Sequence, residues 1–178
     1  YVRDLWVGNG GTVSAGECTN VGTLTAGHTV WTNMTYGWNV LDFDGAYGTG
    51  WDRFWSTGTL TLAAGSTTTV KLVTLSAAGS FGAAQNFAGG VSYTRLIASA
   101  KAISVGAGHT FAVDTSEFMN DEVEASVSVV DVTNIAITVE STGSGNNRPL
   151  YWDADRLTAG LQNGTGVWNN AVANWRTE

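Results

Sequence analysis

Hydrophobic and polar residues alternate along most of the chain, and this period of two predicts β-strands almost throughout. Within residues 67–72, Thr68, Val70 and Leu72 share one face, as a half-buried strand requires. Residues 125–132 and 134–140 alternate most cleanly and predict a β-hairpin. Helical periodicity is nearly absent, and the best candidates are a single turn at 83–87 and a short helix at 115–120.

One motif recurs along the chain: a strand, then Ala-Gly-(His or Ser)-Thr, then another strand. It occurs in residues 22–31, 58–75 and 103–113. The recurrence predicts a repeating structural unit within one all-β domain. Both a β-sandwich of the jelly-roll type and a short β-solenoid fit this pattern. The two histidines, His28 and His109, occupy the same motif position, and we interpret them as turn residues repeated with the unit rather than as a catalytic or metal-binding pair.

The composition changes after residue 140. Residues 141–149 are rich in Ser, Gly and Asn and predict a linker. They separate a β-rich core domain (1–140) from a C-terminal strand extension (150–178) that contains three tryptophans. Because three exposed indole rings would be poorly soluble, we expect the extension to dock, either on its own domain or on a neighbouring molecule.

Low charge is the main compositional feature. Charged residues make up 13% of the chain, the net charge is −7, and no basic stripe is present, so we expect no nucleic-acid partner. No apolar run is long enough to predict a membrane span. The single cysteine, Cys18, excludes an internal disulfide. A weakly charged surface is compatible with self-association.

Few residues suggest site chemistry. Asp42, Asp44 and Asp52 surround a glycine-rich loop, and they are either calcium ligands or solvated turn residues, although EF-hand spacing is absent. We find no Gly-x-Ser-x-Gly elbow and no phosphate-binding loop, and we expect no enzymatic activity. Four of the eight tryptophans are candidates for a sugar-binding surface, with burial in the core or at an interface as the alternative: Trp31, Trp38, Trp51 and Trp55.

Two sets of residues resemble a known family. Trp152-Asp153, Gly166-Val-Trp168-Asn and Ala173-Asn-Trp175 are similar to the Trp-rich pattern of autotransporter-associated β-strand repeats. The segments Gly48-Thr-Gly-Trp51-Asp52, Gly58-Thr-Leu-Thr-Leu62, Asp114-Thr-Ser-Glu-Phe118 and Asn134-Ile-Ala-Ile137, with Phe87 and Tyr93, resemble the terminal module of the same surface proteins, many of which end in a PEP-CTERM-type sorting tail. The resemblance implies an exported bacterial protein, extracellular or at the cell surface, without enzymatic activity.

The order of these motifs suggests how copies associate. In the family the Trp-rich motif begins the protein, whereas here it ends the sequence, and joining residue 178 to residue 1 would recreate a continuous repeat. We therefore predict a structural subunit that assembles head to tail into a filament or surface layer, by strand addition to a neighbour. The alternative is an adhesive or carbohydrate-binding module that binds surface glycans. The predicted assembly residues are Trp6, Tyr151, Trp152, Val167, Trp168, Val172 and Trp175.

Overall fold

The computed structural model describes residues 1–17, 19–120 and 122–142, together with two short strands at 151–152 and 175–176. The described residues form strands, turns and loops and contain no helix, which confirms the all-β prediction. The strands form two large sheets and one small pair. The pair joins β12 (Tyr151–Trp152) to β13 (Trp175–Arg176) in antiparallel register.

The first sheet has six strands in the order β1-β3-β5-β8-β11-β10. Its first four strands are parallel to one another, β11 pairs antiparallel with β8, and β10 pairs antiparallel with β11. The strands are β1 (Val2–Val7), β3 (Thr23–Trp31), β5 (Arg53–Leu62), β8 (Ser92–Val105), β10 (Val123–Val129) and β11 (Asn134–Ser141).

The second sheet is built from strands that alternate along the chain with those of the first. Four of them pair in parallel, in the order β2-β4-β6-β9, and β7 pairs antiparallel with the end of β6. The strands are β2 (Thr12–Ser14), β4 (Met34–Val40), β6 (Thr67–Ala77), β7 (Ser80–Phe81) and β9 (Thr110–Glu117). The chain thus passes four times from the first sheet to the second, and we call these passes units 1 to 4: β1–β2, β3–β4, β5–β6 and β8–β9.

The turns between the two strands of each unit lie beside one another and are joined by hydrogen bonds. The amide of Gly10 donates to the carbonyl of Asn33 (2.9 Å), and the amide of Gly65 donates to the carbonyl of Ala107 (2.9 Å). Asn33 adopts a positive φ of 43°, a left-handed conformation that asparagine tolerates better than most residues. The turns therefore repeat with the units, like the strands that they connect.

The core lies between the two sheets, where alternate residues of each strand point inward. In β6, Thr68, Val70 and Leu72 are fully buried, as the sequence predicted. Register aligns inward residues of successive units, as when Trp31 of β3 pairs with Leu62 of β5. Two aromatic clusters fill the space: Trp31, Tyr36 and Phe54 in one, and Phe43, Phe87, Tyr93 and Phe118 in the other.

The predicted hairpin forms at the end of the first sheet. Strands β10 and β11 pair from Val123–Ser141 to Val129–Ile135. The half-buried residues Val123, Val127 and Val129 of β10 pack against the core, and β10 also contacts β9 of the second sheet. The hairpin therefore lies across one end of the core.

The structure corrects the alignment of the first motif copy. Ala26-Gly27-His28-Thr29 lies inside β3, not in a turn, and the turn of unit 2 follows it at residues 32–33. Gly27 fits this position because a Cβ there would lie 1.6 Å from the carbonyl oxygen of Arg3 in β1. Ser66 and His109 do occupy neighbouring turns. His28 and His109 are therefore not equivalent.

The two helix candidates were also wrong. Residues 115–117 belong to β9, and residues 83–87 form a loop in which Gln85 bonds to the neighbouring loop. The amide of Gln85 donates to the carbonyl of Leu41 (2.8 Å), and the carbonyl of Gln85 accepts from the amide of Phe43 (3.0 Å). These sheet-like bonds satisfy the backbone groups that a helical turn would otherwise have paired internally.

Candidate functional sites

The end of the molecule opposite the hairpin is an open sheet edge, formed by unit 1. Within the described part of the chain, β1 pairs only with β3 and β2 pairs only with β4. The outer edges of both strands therefore present unpaired backbone groups, which are a template for another strand. We call this end the open edge.

The open edge carries apolar side chains. Trp6 is 77% exposed although it belongs to β1, and Tyr1, which precedes the strand, is 83% exposed. Leu5 and Val13, which point toward the core, are only partly buried, whereas their counterparts in inner units are fully covered. Trp6 is the one predicted assembly residue whose side chain the structure describes, and it lies on this surface.

The other predicted assembly residues lie in or near the extension. The backbones of Tyr151, Trp152 and Trp175 belong to the β12–β13 pair, in which Trp152 is opposite Trp175. Val167, Trp168 and Val172 lie outside the described residues. Most of the linker predicted at 141–149 and of the extension predicted at 150–178 also lies outside the described residues.

Asp52 is the centre of a buried polar network that ties units 1, 2 and 3 together. Its carboxylate accepts hydrogen bonds from the amide of Gly22 (2.8 Å), the amide of Asn39 (3.1 Å) and the side-chain amide of Asn39 (2.9 Å). The hydroxyl of Ser14 donates to it as well (3.2 Å). Burial raises the pKa of Asp52 to about 6, against the lowering effect of these hydrogen bonds.

The three aspartates proposed as calcium ligands have separate surroundings. Asp52 is committed to the buried network, while Asp42 accepts bonds from the amide of Asp44 (2.9 Å) and the side chain of Asn86 (2.8 Å). Asp44 is exposed and lies 3.6 Å from Arg95. Among the residues that the structure describes, no three His, Cys, Asp or Glu side chains are grouped as metal ligands.

A cleft opens beside Asp44, between the loop at 41–52 and β8. Its volume is about 370 Å³, and it is lined by Asp44, Gly45, Tyr47, Trp51, Thr94, Arg95 and Leu96. Arg95 lies over the Trp51 ring at 5.2 Å, while its guanidinium donates to the carbonyls of Phe43 and Thr94. The cleft thus combines aromatic rings with a fixed cation and an exposed carboxylate.

The four tryptophans considered for sugar binding are mainly structural. Trp31 and Trp38 are fully buried, so they cannot stack on a ligand, and Trp51 is 8% exposed. The indole of Trp51 donates to the carbonyl of Leu96 (3.0 Å). Only Trp55 is half-buried, and the guanidinium of Arg53 lies 5.2 Å over its ring. An aromatic sugar-binding platform made of these four residues is therefore wrong.

The two histidines do not meet. His28 is exposed in β3 and its Nδ1 accepts a hydrogen bond from the amide of Thr59 (3.2 Å). His109 lies in the turn of unit 4, with its Nδ1 3.0 Å from the hydroxyl of Ser66. Burial lowers the pKa of His109, which favours the neutral ring. His109 is therefore a turn residue, as predicted, whereas the prediction is wrong for His28, which lies within a strand.

Sequence reasoning missed the buried polar network around Asp52 and the cleft beside Asp44. The roles of Asn39 and Arg95 depend on contacts between loops far apart in the sequence, and no local signal marks them. The pairing of Asn9 with Asn33 could have been found, because an asparagine follows the first strand in both units.

Comparison with known proteins gives no further identification: no protein-family model, no curated protein and no solved structure matches this chain. Within the described residues, no helix is long and apolar enough to cross a membrane. Function must therefore be inferred from the open edge and the cleft.

Proposed function

We propose that this protein is an extracellular or cell-surface structural subunit, without enzymatic activity, that assembles head to tail by β-strand addition. The finer fold that we propose is a short β-solenoid whose four turns are units 1 to 4. Units 1 to 4 alternate between the two sheets and pair in parallel within each, which supports a solenoid over a jelly-roll sandwich, since a jelly roll is built from antiparallel strands.

The open edge is the observation that carries the proposal. Within the described residues, β1 and β2 each have one unpaired edge, and these edges together with the exposed Trp6 are an unfavourable surface to leave in water. The C-terminal extension supplies strand-forming, Trp-rich sequence of the kind that could cover it. Trp6 projects from the outer face of β1, so an added strand covers about half of its side chain, which contributes about 1.5 kcal/mol, or roughly tenfold in affinity.

The test compares the full chain with a truncation after Gly145, by negative-stain microscopy and size analysis. We expect filaments or large oligomers from the full chain and monomers from the truncation. Trp6→Lys should weaken assembly about tenfold. Val105→Lys is the matched control, because Val105 is 53% exposed but lies at the end of β8, an inner strand of the first sheet. If the truncation and Trp6→Lys assemble like the unaltered chain, strand addition at the open edge is wrong.

The cleft favours a second candidate function, an adhesive module that binds surface glycans. Asp44 is exposed and can accept hydrogen bonds from sugar hydroxyls, and Tyr47 offers an aromatic ring beside it. We expect Asp44→Ala to abolish glycan binding measured on immobilised polysaccharides, while leaving assembly unchanged. If Asp44→Ala and the unaltered chain bound glycans equally, the cleft would be rejected as the glycan site.

A further inference from the structure

The turns at the open edge contain an unfinished ladder of asparagine side chains. The Nδ2 group of Asn33 in unit 2 donates to the Oδ1 atom of Asn9 in unit 1 (3.0 Å). The Oδ1 atom of Asn33 accepts from the amide of Thr67 in unit 3 (2.9 Å). Asn33 therefore bonds to the unit on each side. The Nδ2 group of Asn9 has no partner among the described residues, so it is the free donor at the end of the ladder.

The C-terminal extension repeats the sequence that surrounds Asn33. Thr29-Val-Trp-Thr-Asn-Met-Thr-Tyr-Gly-Trp38 and Gly166-Val-Trp-Asn-Asn-Ala-Val-Ala-Asn-Trp175 match at four positions without a gap. The matched pairs are Val30 with Val167, Trp31 with Trp168, Asn33 with Asn170, and Trp38 with Trp175.

The matched positions have defined roles in unit 2. Val30 and Trp31 end β3 and pair with Trp6 and Val7 of β1. Asn33 forms the ladder, and Trp31 is fully buried. A segment with the same residues at the same spacing is suited to pair with the next position along the sheet, which is the outer edge of β1.

We propose that residues 166–175 of a second copy add to the open edge in the register that places Asn170 against Asn9. The Nδ2 group of Asn9 then donates to the side-chain oxygen of Asn170, and Val167 and Trp168 lie beside Trp6 and Val7. This inference rests on the proposed function and specifies its register.

The positions of the two ends of the domain favour a second copy over the same chain. The extension follows β11, which lies four strands from β1 in the first sheet. A strand added outside β1 would lie five strand spacings from β11, or about 24 Å. In a head-to-tail stack the open edge of the next copy lies beside the hairpin end, near the end of β11, so a second copy needs the shorter connection, while residues 143–165 are long enough for either.

The test is disulfide formation between two different chains. Both carry Cys18→Ala, because Cys18 is the only natural cysteine. One chain also carries Asn9→Cys and the other Asn170→Cys. They are mixed, oxidised and analysed on a non-reducing gel, after microscopy has recorded whether filaments form. Directly opposite positions on neighbouring units lie within the Cα–Cα distance of a disulfide, about 4.4–6.8 Å. The control replaces Asn170→Cys by Val172→Cys, a position two residues out of register and about 6.6 Å further along the strand. We expect the yield of the mixed dimer with Asn170→Cys to exceed the yield with Val172→Cys by at least about fivefold.

The outcomes separate the register from the assembly. Filaments without the 9–170 crosslink, or with equal yields at 170 and 172, would overturn the register and leave strand addition standing. A chain carrying both cysteines that forms only an intramolecular disulfide, with no mixed dimer, would overturn the second copy as the occupant. The proposed function itself would be rejected if the cysteine variants formed neither filaments nor crosslinks and the full chain without cysteine substitutions were also monomeric.

Discussion

Titration of Asp52 should make the protein less stable at neutral pH than at mildly acidic pH. Burial raises the pKa of this carboxyl from 3.8 to about 6 in the folded state. Between these two values the folded protein binds more protons than the unfolded chain, so the free energy of unfolding falls as the pH rises. A difference of about two pH units corresponds to about 3 kcal/mol. The loss should therefore occur between about pH 4 and pH 6.5 and be complete at pH 7.

The assay is urea unfolding followed by tryptophan fluorescence, since the buried Trp31 and Trp38 report loss of the core. Measurements from about pH 4 to pH 7 compare the unaltered chain with Asp52→Asn, which cannot titrate. The lowered pKa of His109 has the opposite effect on stability over part of this range, and it cancels in the comparison. We expect the difference between the two proteins to change by about 3 kcal/mol across the range.

Asp131→Asn is the matched control. Hydrogen bonds from Asn134 and Thr133 lower the pKa of Asp131 to about 2, so it titrates below the range measured. Its replacement should leave the pH dependence between about pH 4 and pH 7 unchanged. Parallel curves for the unaltered chain and Asp52→Asn would refute the reasoning, and so would a stability that rises with pH only when Asp52 is present.

Two further predictions concern packing. Gly27→Ala should destabilise the domain by more than about 2 kcal/mol, because the new Cβ would overlap the backbone of β1. Gly8→Ala is the control and should cost less than about 0.5 kcal/mol, because a Cβ there meets nothing within 4 Å. Thermal unfolding of both variants measures the difference. Leu60→Ala should cost about 2–5 kcal/mol in urea unfolding because Leu60 is fully buried in β5, and a cost below about 1 kcal/mol would contradict its place in the core.

The sequence was sufficient for the all-β class, most strand positions and the hairpin, because alternation records which face of a strand is buried. It was insufficient to predict which residues of each repeat form the turn. Ala-Gly-His-Thr in residues 26–29 resembles the turn sequence in residues 107–110, but Gly27 serves there to admit the carbonyl of Arg3. That contact joins strands 24 residues apart in register, and no local pattern reports it.

The candidate sites divide in the same way. Trp6 was predicted as an assembly residue, because residues 1–10 would continue the repeat that ends at residue 178. The structure exposes its side chain on β1, and its role in assembly stays a prediction. The environment of Asp52 was missed, since its partners Ser14, Gly22 and Asn39 come from three separate loops and strands. A polar network of this kind exists only once the units are stacked.

The two ends of the domain differ in a way that bears on the direction of growth. At the hairpin end, β10 turns half-buried valines toward the core and presents Glu124, Ser126 and Ser128 to solvent. At the open edge, β1 presents Trp6. Polar and charged residues disfavour strand addition at a sheet edge, whereas an exposed aromatic residue favours it. If strands are added only at the open edge and supplied only from the opposite end, every contact joins unlike surfaces. Such contacts produce a polar filament rather than a closed dimer.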